Sequence, residues 1–242
     1  MTVTARLRAA RGLVTAFAAT SAAHLGAIAT GATGLQHATK PALMPLLAAH
    51  SLASAERAPK LLAPALLAST AGDVLLQVGG DTAFLAGMGS FAAAHVAYVI
   101  MFAGQGAFSD RRRTLLVAAA YATAWAVMIT QLWPDLGSLQ IPVAAYSLLL
   151  ASTAVSSAGL GLTTGIGGGL FLLSDSLIAA RLAGWKLLPG HNVLVMATYV
   201  AAQYLLARGA LRAEEARTAP ASGSPQSERG DGAAGARLGA PA

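Results

Sequence analysis

The chain has 242 residues, 55% of them hydrophobic and only 11% charged, with a mean hydropathy of +0.60, whereas an ordinary soluble domain carries about 25% charged residues. This composition argues against a water-soluble globule, and the dominance of Ala, Leu and Gly over aromatic residues argues against an outer-membrane barrel. No cysteine is present, which excludes disulfides, thiolate metal sites and cysteine nucleophiles.

Apolar windows bounded by charge, Gly and Pro predict eight spans, at 12–30, 39–55, 60–78, 83–104, 114–132, 139–160, 163–184 and 191–210. Each is close to the ~20 residues needed to cross a bilayer. The fold class is therefore all-α, a polytopic membrane helix bundle of about eight transmembrane helices. The basic segment 1–11 precedes the first span without a small-residue cleavage site, so that span reads as a retained helix rather than a signal peptide. Pro41 and Pro45 fall in the first turns of the second span, which makes it the weakest of the eight. Residues 211–242 are rich in Ala, Gly, Pro, Ser and charge, without apolar periodicity, and read as a disordered cytoplasmic tail.

With the N-terminus inside, 13 of the 16 basic residues fall on the inner side, leaving Lys40, Arg181 and Lys186 outside. This bias predicts that both termini are cytoplasmic. Trp133 and Trp185 then fall near the outer interface. The net charge of +6 is explained by topology, and no nucleic-acid partner is expected.

Ionisable side chains inside a span are costly, at least ~2.5–3.5 kcal/mol near a helix centre, and so mark the bundle interior. Asp73, His95 and Asp175 are the clear cases. Helical periodicity puts Phe84, Met88, Phe91, His95 and Tyr98 on one stripe of the fourth span. Ser69, Asp73 and Gln77 share a face of the third, Tyr146, Thr153 and Ser157 a face of the sixth, and Asn192, Tyr199 and Gln203 a face of the eighth. Four such faces predict a common polar interior, although interhelical hydrogen bonds alone would give the same pattern. Gly-Asp-Val-Leu-Leu at 72–76 and Ser-Asp-Ser-Leu-Ile at 174–178 are alike, and each is followed by a tyrosine 25 or 24 residues after its Asp. A 4+4 parallel repeat would bring the two carboxylates toward a pseudo-two-fold axis.

Five blocks carry a family resemblance: His-Ala-Thr-Lys-Pro-Ala-Leu-Met-Pro-Leu-Leu at 37–47, Ala-Gly-Asp-Val-Leu-Leu at 71–76, the Phe84 to Tyr98 stripe, Phe-Leu-Leu-Ser-Asp-Ser at 171–176, and Tyr199 with Gln203. Together, over about 37–207, they resemble the YhhN family of membrane proteins, whose characterised members are lysoplasmalogenases. The resemblance implies a hydrolase of the vinyl-ether bond of lysoplasmalogens, with a lysophospholipid as substrate and the bilayer as its setting. By motif position it marks Lys40, Asp73, His95, Tyr98, Asp175, Tyr199 and Gln203.

Vinyl-ether hydrolysis requires an acid to protonate carbon, a negative group to stabilise the oxocarbenium ion and a placed water, as in two-carboxylate glycoside hydrolysis. Asp175, expected to lie deeper and without an evident cation, is read as the acid, and Asp73 as base or stabiliser; the two assignments are interchangeable at this level. Lys40 either keeps Asp73 ionised or binds a lipid phosphate. His95 positions water or acts as base, and Tyr98, Tyr199 and Gln203 orient the substrate. No metal or cofactor is expected, since His24, His37, His50 and His191 form no HExxH pattern, and no Gly-x-Ser-x-Gly elbow is present. The glycines of 165–169 read as a site of close helix approach. The competing readings are a small transporter or proton-coupled carrier, which would bury the same residue types, and a structural scaffold that would tolerate Asn for Asp.

Overall fold

A computed structural model describes residues 2–219, and among them every regular element is helical. Eight α-helices follow in order: α1 (Val3–Thr30), α2 (Thr33–Ser54), α3 (Leu62–Val78), α4 (Asp81–Gly104), α5 (Arg111–Leu132), α6 (Gln140–Gly159), α7 (Leu162–Leu182) and α8 (His191–Thr218). Two single 3₁₀ turns, Trp133–Asp135 and Gly137–Leu139, join α5 to α6. Six of the eight helices are long and apolar enough to cross a membrane. Of the other two, α3 has 17 residues, the short end of the crossing range, and α2 carries His37, Lys40 and His50. The protein is an integral, multi-pass membrane protein.

Side-chain bonds between neighbours show that successive helices alternate in direction. Gln36 Nε2, at the start of α2, donates to the Ala27 carbonyl near the end of α1, while His50, near the end of α2, meets the Ala10 carbonyl. Gln77 at the end of α3 donates to the Gln36 carbonyl, and Arg113 at the start of α5 to the Ala158 carbonyl near the end of α6. One end of the bundle thus holds the α1–α2, α3–α4, α5–α6 and α7–α8 connections. The other holds the start of α1 and the end of α8.

Packing joins α1, α2, α3, α4, α6, α7 and α8 into a closed bundle, with α5 standing outside on α6. In both halves, α1–α4 and α5–α8, consecutive helices pack on each other, and α4 meets α6 as α8 meets α2, but α1 also packs on α8 whereas α5 stands apart from α4. The core of the bundle includes Leu43, Met44, Leu66, Phe102, Phe171 and Leu206, all essentially inaccessible. Leu115, Leu116, Val127, Leu148 and Ile166 stand outward and exposed, the surface that a hydrocarbon solvent favours and water does not.

Glycines set the closest approaches. A Cβ on Gly167 would lie 2.9 Å from the Leu206 amide nitrogen, and one on Gly168 would lie 2.8 Å from the Ala154 Cα. The glycine stretch of α7 therefore seats that helix between α6 and α8, as its composition leads one to expect. Gly72 and Gly87 do the same for α3 and α4, where each Cβ would press within 3.1–3.2 Å of the other's carbonyl oxygen.

Three boundaries differ from the sequence expectation. The basic residues of 3–11 are helical and belong to α1, which begins at Val3. Helix α2 begins at Thr33 rather than at 39, so Pro41 and Pro45 lie inside it without interrupting it; neighbouring helices tolerate such breaks in the backbone ladder. The cytoplasmic tail was expected from residue 211, yet α8 runs on to Thr218. Ala, Arg and Glu in that stretch are strong helix formers. Arg217 pairs with Glu214 at 2.6 Å, and Gln105 of α4 donates to both Glu214 and the Ala210 carbonyl. The rest of the expected tail lies outside the described residues.

Candidate active site

A cavity of about 420 Å³ opens at the end of the bundle that carries the α1–α2 and α7–α8 connections. Its wall is built from the last turns of α1, α3 and α7 and the first turns of α2, α4, α6 and α8. Leu76, Phe84, Met88, Phe91, Val143 and Met196 make much of it apolar. Asp73, Asp175, Tyr146 and Tyr199 also line it, so acid, hydroxyl and hydrocarbon meet in one space.

The two carboxylates have different settings. Asp73 is 2% exposed; its Oδ1 lies 3.2 Å from Lys40 Nζ, and its Oδ2 accepts a 2.7 Å bond from the Tyr199 hydroxyl. Helix register leads one to expect the Lys40 contact, because α2 begins beside the end of α3. Asp175 has no cationic partner among the described residues; its Oδ2 accepts from the Tyr146 hydroxyl. Asp73 is the more enclosed of the two, and Asp175 is half-buried. Lys40 and Tyr199 cover Asp73 from α2 and α8, whereas one face of Asp175 remains open to the cavity.

Behind each carboxylate runs a chain of hydrogen bonds. From Asp73 it passes through Tyr199 to Gln203, whose Nε2 lies 3.5 Å from the Tyr199 hydroxyl and donates to Ser69 Oγ at 3.0 Å. Gln203 Oε1 accepts from Tyr98 at 2.6 Å. From Asp175 the chain passes through Tyr146 to His95, whose Nε2 is 3.4 Å from the Tyr146 oxygen and whose Nδ1 is 3.1 Å from Thr153 Oγ1. The Tyr146 hydroxyl donates to Asp175, which leaves its oxygen to accept from His95 Nε2, while the Thr153 hydroxyl beside Nδ1 also reaches the Leu149 carbonyl at 3.2 Å. Phe171 fixes His95 from the other side, with ring centroids 4.6 Å apart.

The seven residues singled out from sequence therefore fall into two groups. Lys40, Asp73, Asp175 and Tyr199 line the cavity. His95, Tyr98 and Gln203 are wholly buried and stand behind its wall, so they hold other side chains rather than the contents of the cavity. Tyr146 is the site residue that sequence reasoning left out of its selection. Its signal was its place on the polar face of the sixth span, opposite the His95 stripe. Among the described residues, no three His, Cys, Asp or Glu side chains are grouped so as to hold a metal ion.

The model of the YhhN family matches residues 35–210. Lysoplasmalogenase TMEM86B of Homo sapiens is 35% identical over 161 residues, 66% of this chain and 67% of the relative. Lysoplasmalogenase of Mycobacterium bovis is 34% identical over 197 residues, 76% of this chain and 73% of the relative. Lysoplasmalogenase TMEM86B of Rattus norvegicus is 34% identical over 160 residues, 65% of this chain and 64% of the relative. No solved structure matches the chain.

Proposed function

The chain belongs to the YhhN family, and from that premise we propose that it is an integral-membrane lysoplasmalogenase acting through Asp73 and Asp175. It cleaves the vinyl-ether bond of a lysoplasmalogen, consuming one water and releasing a fatty aldehyde and the glycerophospho-alcohol. The observation that carries this reading is the pairing of two carboxylates in unlike settings on one apolar-walled cavity.

Asp175, free of a cation and facing the cavity, is the acid. Its proton goes to the vinyl carbon beta to the ether oxygen, and the π electrons of the double bond form the new C–H bond. The carbon next to oxygen becomes an oxocarbenium ion. Asp73, kept as the anion by Lys40 and Tyr199, stabilises that positive charge and takes a proton from the water that adds to it. The hemiacetal hydroxyl then gives its proton back to Asp175 as the C–O bond to the glycerol breaks, and the departing oxygen takes the proton held by Asp73, which restores both carboxyl groups. Tyr146 orients Asp175, and His95, Tyr98 and Gln203 are positioning residues. The division of labour is that of glycosidase carboxyl pairs, in which environment keeps one group protonated and its partner charged.

The basic residues of the end opposite the cavity include Arg6, Arg8, Arg11, Arg57, Lys60 and Arg111 to Arg113. By the positive-inside rule both termini are cytoplasmic and the cavity opens to the outer side. The substrate is a lysophospholipid that enters from the adjoining leaflet.

Aldehyde release by protein purified in detergent, from a 1-alkenyl lysophospholipid, tests the reading. Wild type releases aldehyde. Asp73→Asn and Asp175→Asn each lose about 10²-fold or more in kcat, the scale of general acid–base catalysis, while eluting as wild type does on size exclusion. Two active Asn variants would overturn the assignment.

A further inference from the structure

We propose that the mouth of the cavity is a receptor for the phosphate of a single-chain lipid, and that Arg181 is the residue that binds it. The inference rests on the hydrolase reading for its substrate, and it names the part of the site that distinguishes a phospholipid from a neutral ether lipid.

One lysine and one arginine line the cavity, beside His24 and His37, and of the two permanent cations only the arginine is free of a carboxylate. Lys40 is taken up by Asp73 at 3.2 Å. Arg181 has no carboxylate partner among the described residues. Its guanidinium donates one bond, from Nη1 to Asn192 Oδ1 at 3.1 Å. A neutral amide aims the group without discharging it, and most of the five guanidinium N–H donors remain for a ligand. Arginine presents those donors as a planar fork that matches phosphate oxygens in pairs.

The tether itself belongs to an anion-favouring feature. Asn192 stands in the first turn of α8, whose N-cap is Gly190 and supplies no side-chain acceptor. The helix dipole adds partial positive charge there. In the same turn His191 is buried, with no partner for its Nε2. The acidic residues that line the cavity are Asp73 and Asp175; Asp73 is neutralised by Lys40, and Asp175 lies well below the mouth. On α7, Arg181 is six residues beyond Asp175, about 9 Å along the helix axis. A lysoplasmalogen interposes its glycerol backbone and one phosphoester bond between the phosphorus and the alkenyl ether. With phosphate on Arg181, the ether therefore reaches Asp175 while the alkenyl chain runs along Phe84, Met88 and Phe91.

The test separates recognition from turnover. Binding of an uncleavable 1-alkyl lysophospholipid and of the corresponding 1-alkylglycerol is measured by calorimetry in detergent, on wild type, Arg181→Gln and Arg181→Lys. Wild type prefers the phosphate-bearing lipid by about tenfold or more, the scale of a charge-assisted contact. Arg181→Gln loses the preference and Arg181→Lys keeps part of it. In turnover, Arg181→Gln raises KM for the alkenyl lysophospholipid and collapses the ratio of its kcat/KM to that of 1-alkenylglycerol. These binding results stand even if no aldehyde is ever released, which would instead refute the hydrolase reading. Equal affinity of wild type for the two alkyl lipids, or an Arg181→Gln protein that retains the preference, overturns the proposal. Inorganic phosphate alone gives no heat; binding of it as tight as that of the lipid would overturn the assignment to a lipid-borne group.

Discussion

Tyr146 shows how much of the site depends on a single oxygen. Its hydroxyl is the described side-chain partner of Asp175, and its ring packs edge-on against His95 with centroids 5.6 Å apart. Tyr146→Phe keeps that ring contact and removes the bond. Hydrogen bonds to charged groups are worth about 1.5–3 kcal/mol, so kcat falls about 10- to 100-fold while KM for the alkenyl lysophospholipid stays near the wild-type value. Steady-state kinetics check this, and an unchanged kcat would remove Tyr146 from the site. The sequence makes Asp73 and Asp175 conspicuous because a carboxylate inside a span is expensive. It cannot rank Tyr146 against other polar residues, since the partner Asp175 lies on a different helix at no characteristic spacing. Nor can it tell His95, Tyr98 and Gln203, sealed behind the wall, from Tyr199, which faces the cavity. Each sits on a polar stripe, and only the rotation of α4 and α8 in the packed bundle decides which residue reaches open space.

Helix α7 shows how small residues set that geometry. Gly167 faces α8 and Gly168 faces α6, each too close to a neighbouring backbone to accept a Cβ without a shift. The same helix presents Asp175 to the cavity two turns later. Overpacking of this kind costs about 1–3 kcal/mol, so Gly168→Val lowers the thermal unfolding midpoint in detergent and reduces turnover together. Retention of both wild-type values would show that α6 and α7 are free to separate. Helix number and approximate limits are legible in the sequence because a crossing segment needs a long apolar run. The end of α8 is not: it is held to Thr218 by Glu214, Arg217 and the Gln105 contact from α4, none of which an apolar count registers.

Across the whole molecule the alternating helices separate charge from chemistry. The arginine-rich end holds the start of α1 and the end of α8, and the cavity opens at the other, where its lining includes one lysine and one arginine, Lys40 and Arg181. The two halves share part of their neighbour relations, and their carboxylates are held in comparable ways. Asp73 on α3 meets a side chain from α2 and one from α8, and Asp175 on α7 meets Tyr146 of α6 with His95 of α4 behind it. The halves differ in one contact: each carboxylate accepts from a tyrosine, and Asp73 alone meets a lysine. In the proposed mechanism this difference makes Asp175 the donor of a proton to carbon. Turnover of a 1-alkenyl lysophospholipid in deuterium oxide, with the aldehyde trapped by reduction and weighed by mass spectrometry, tests it most directly. One deuterium is expected on the carbon next to the carbonyl, in product that wild type forms and Asp175→Asn does not. Aldehyde without that deuterium, or deuterated aldehyde released as fast by Asp175→Asn as by wild type, would contradict it.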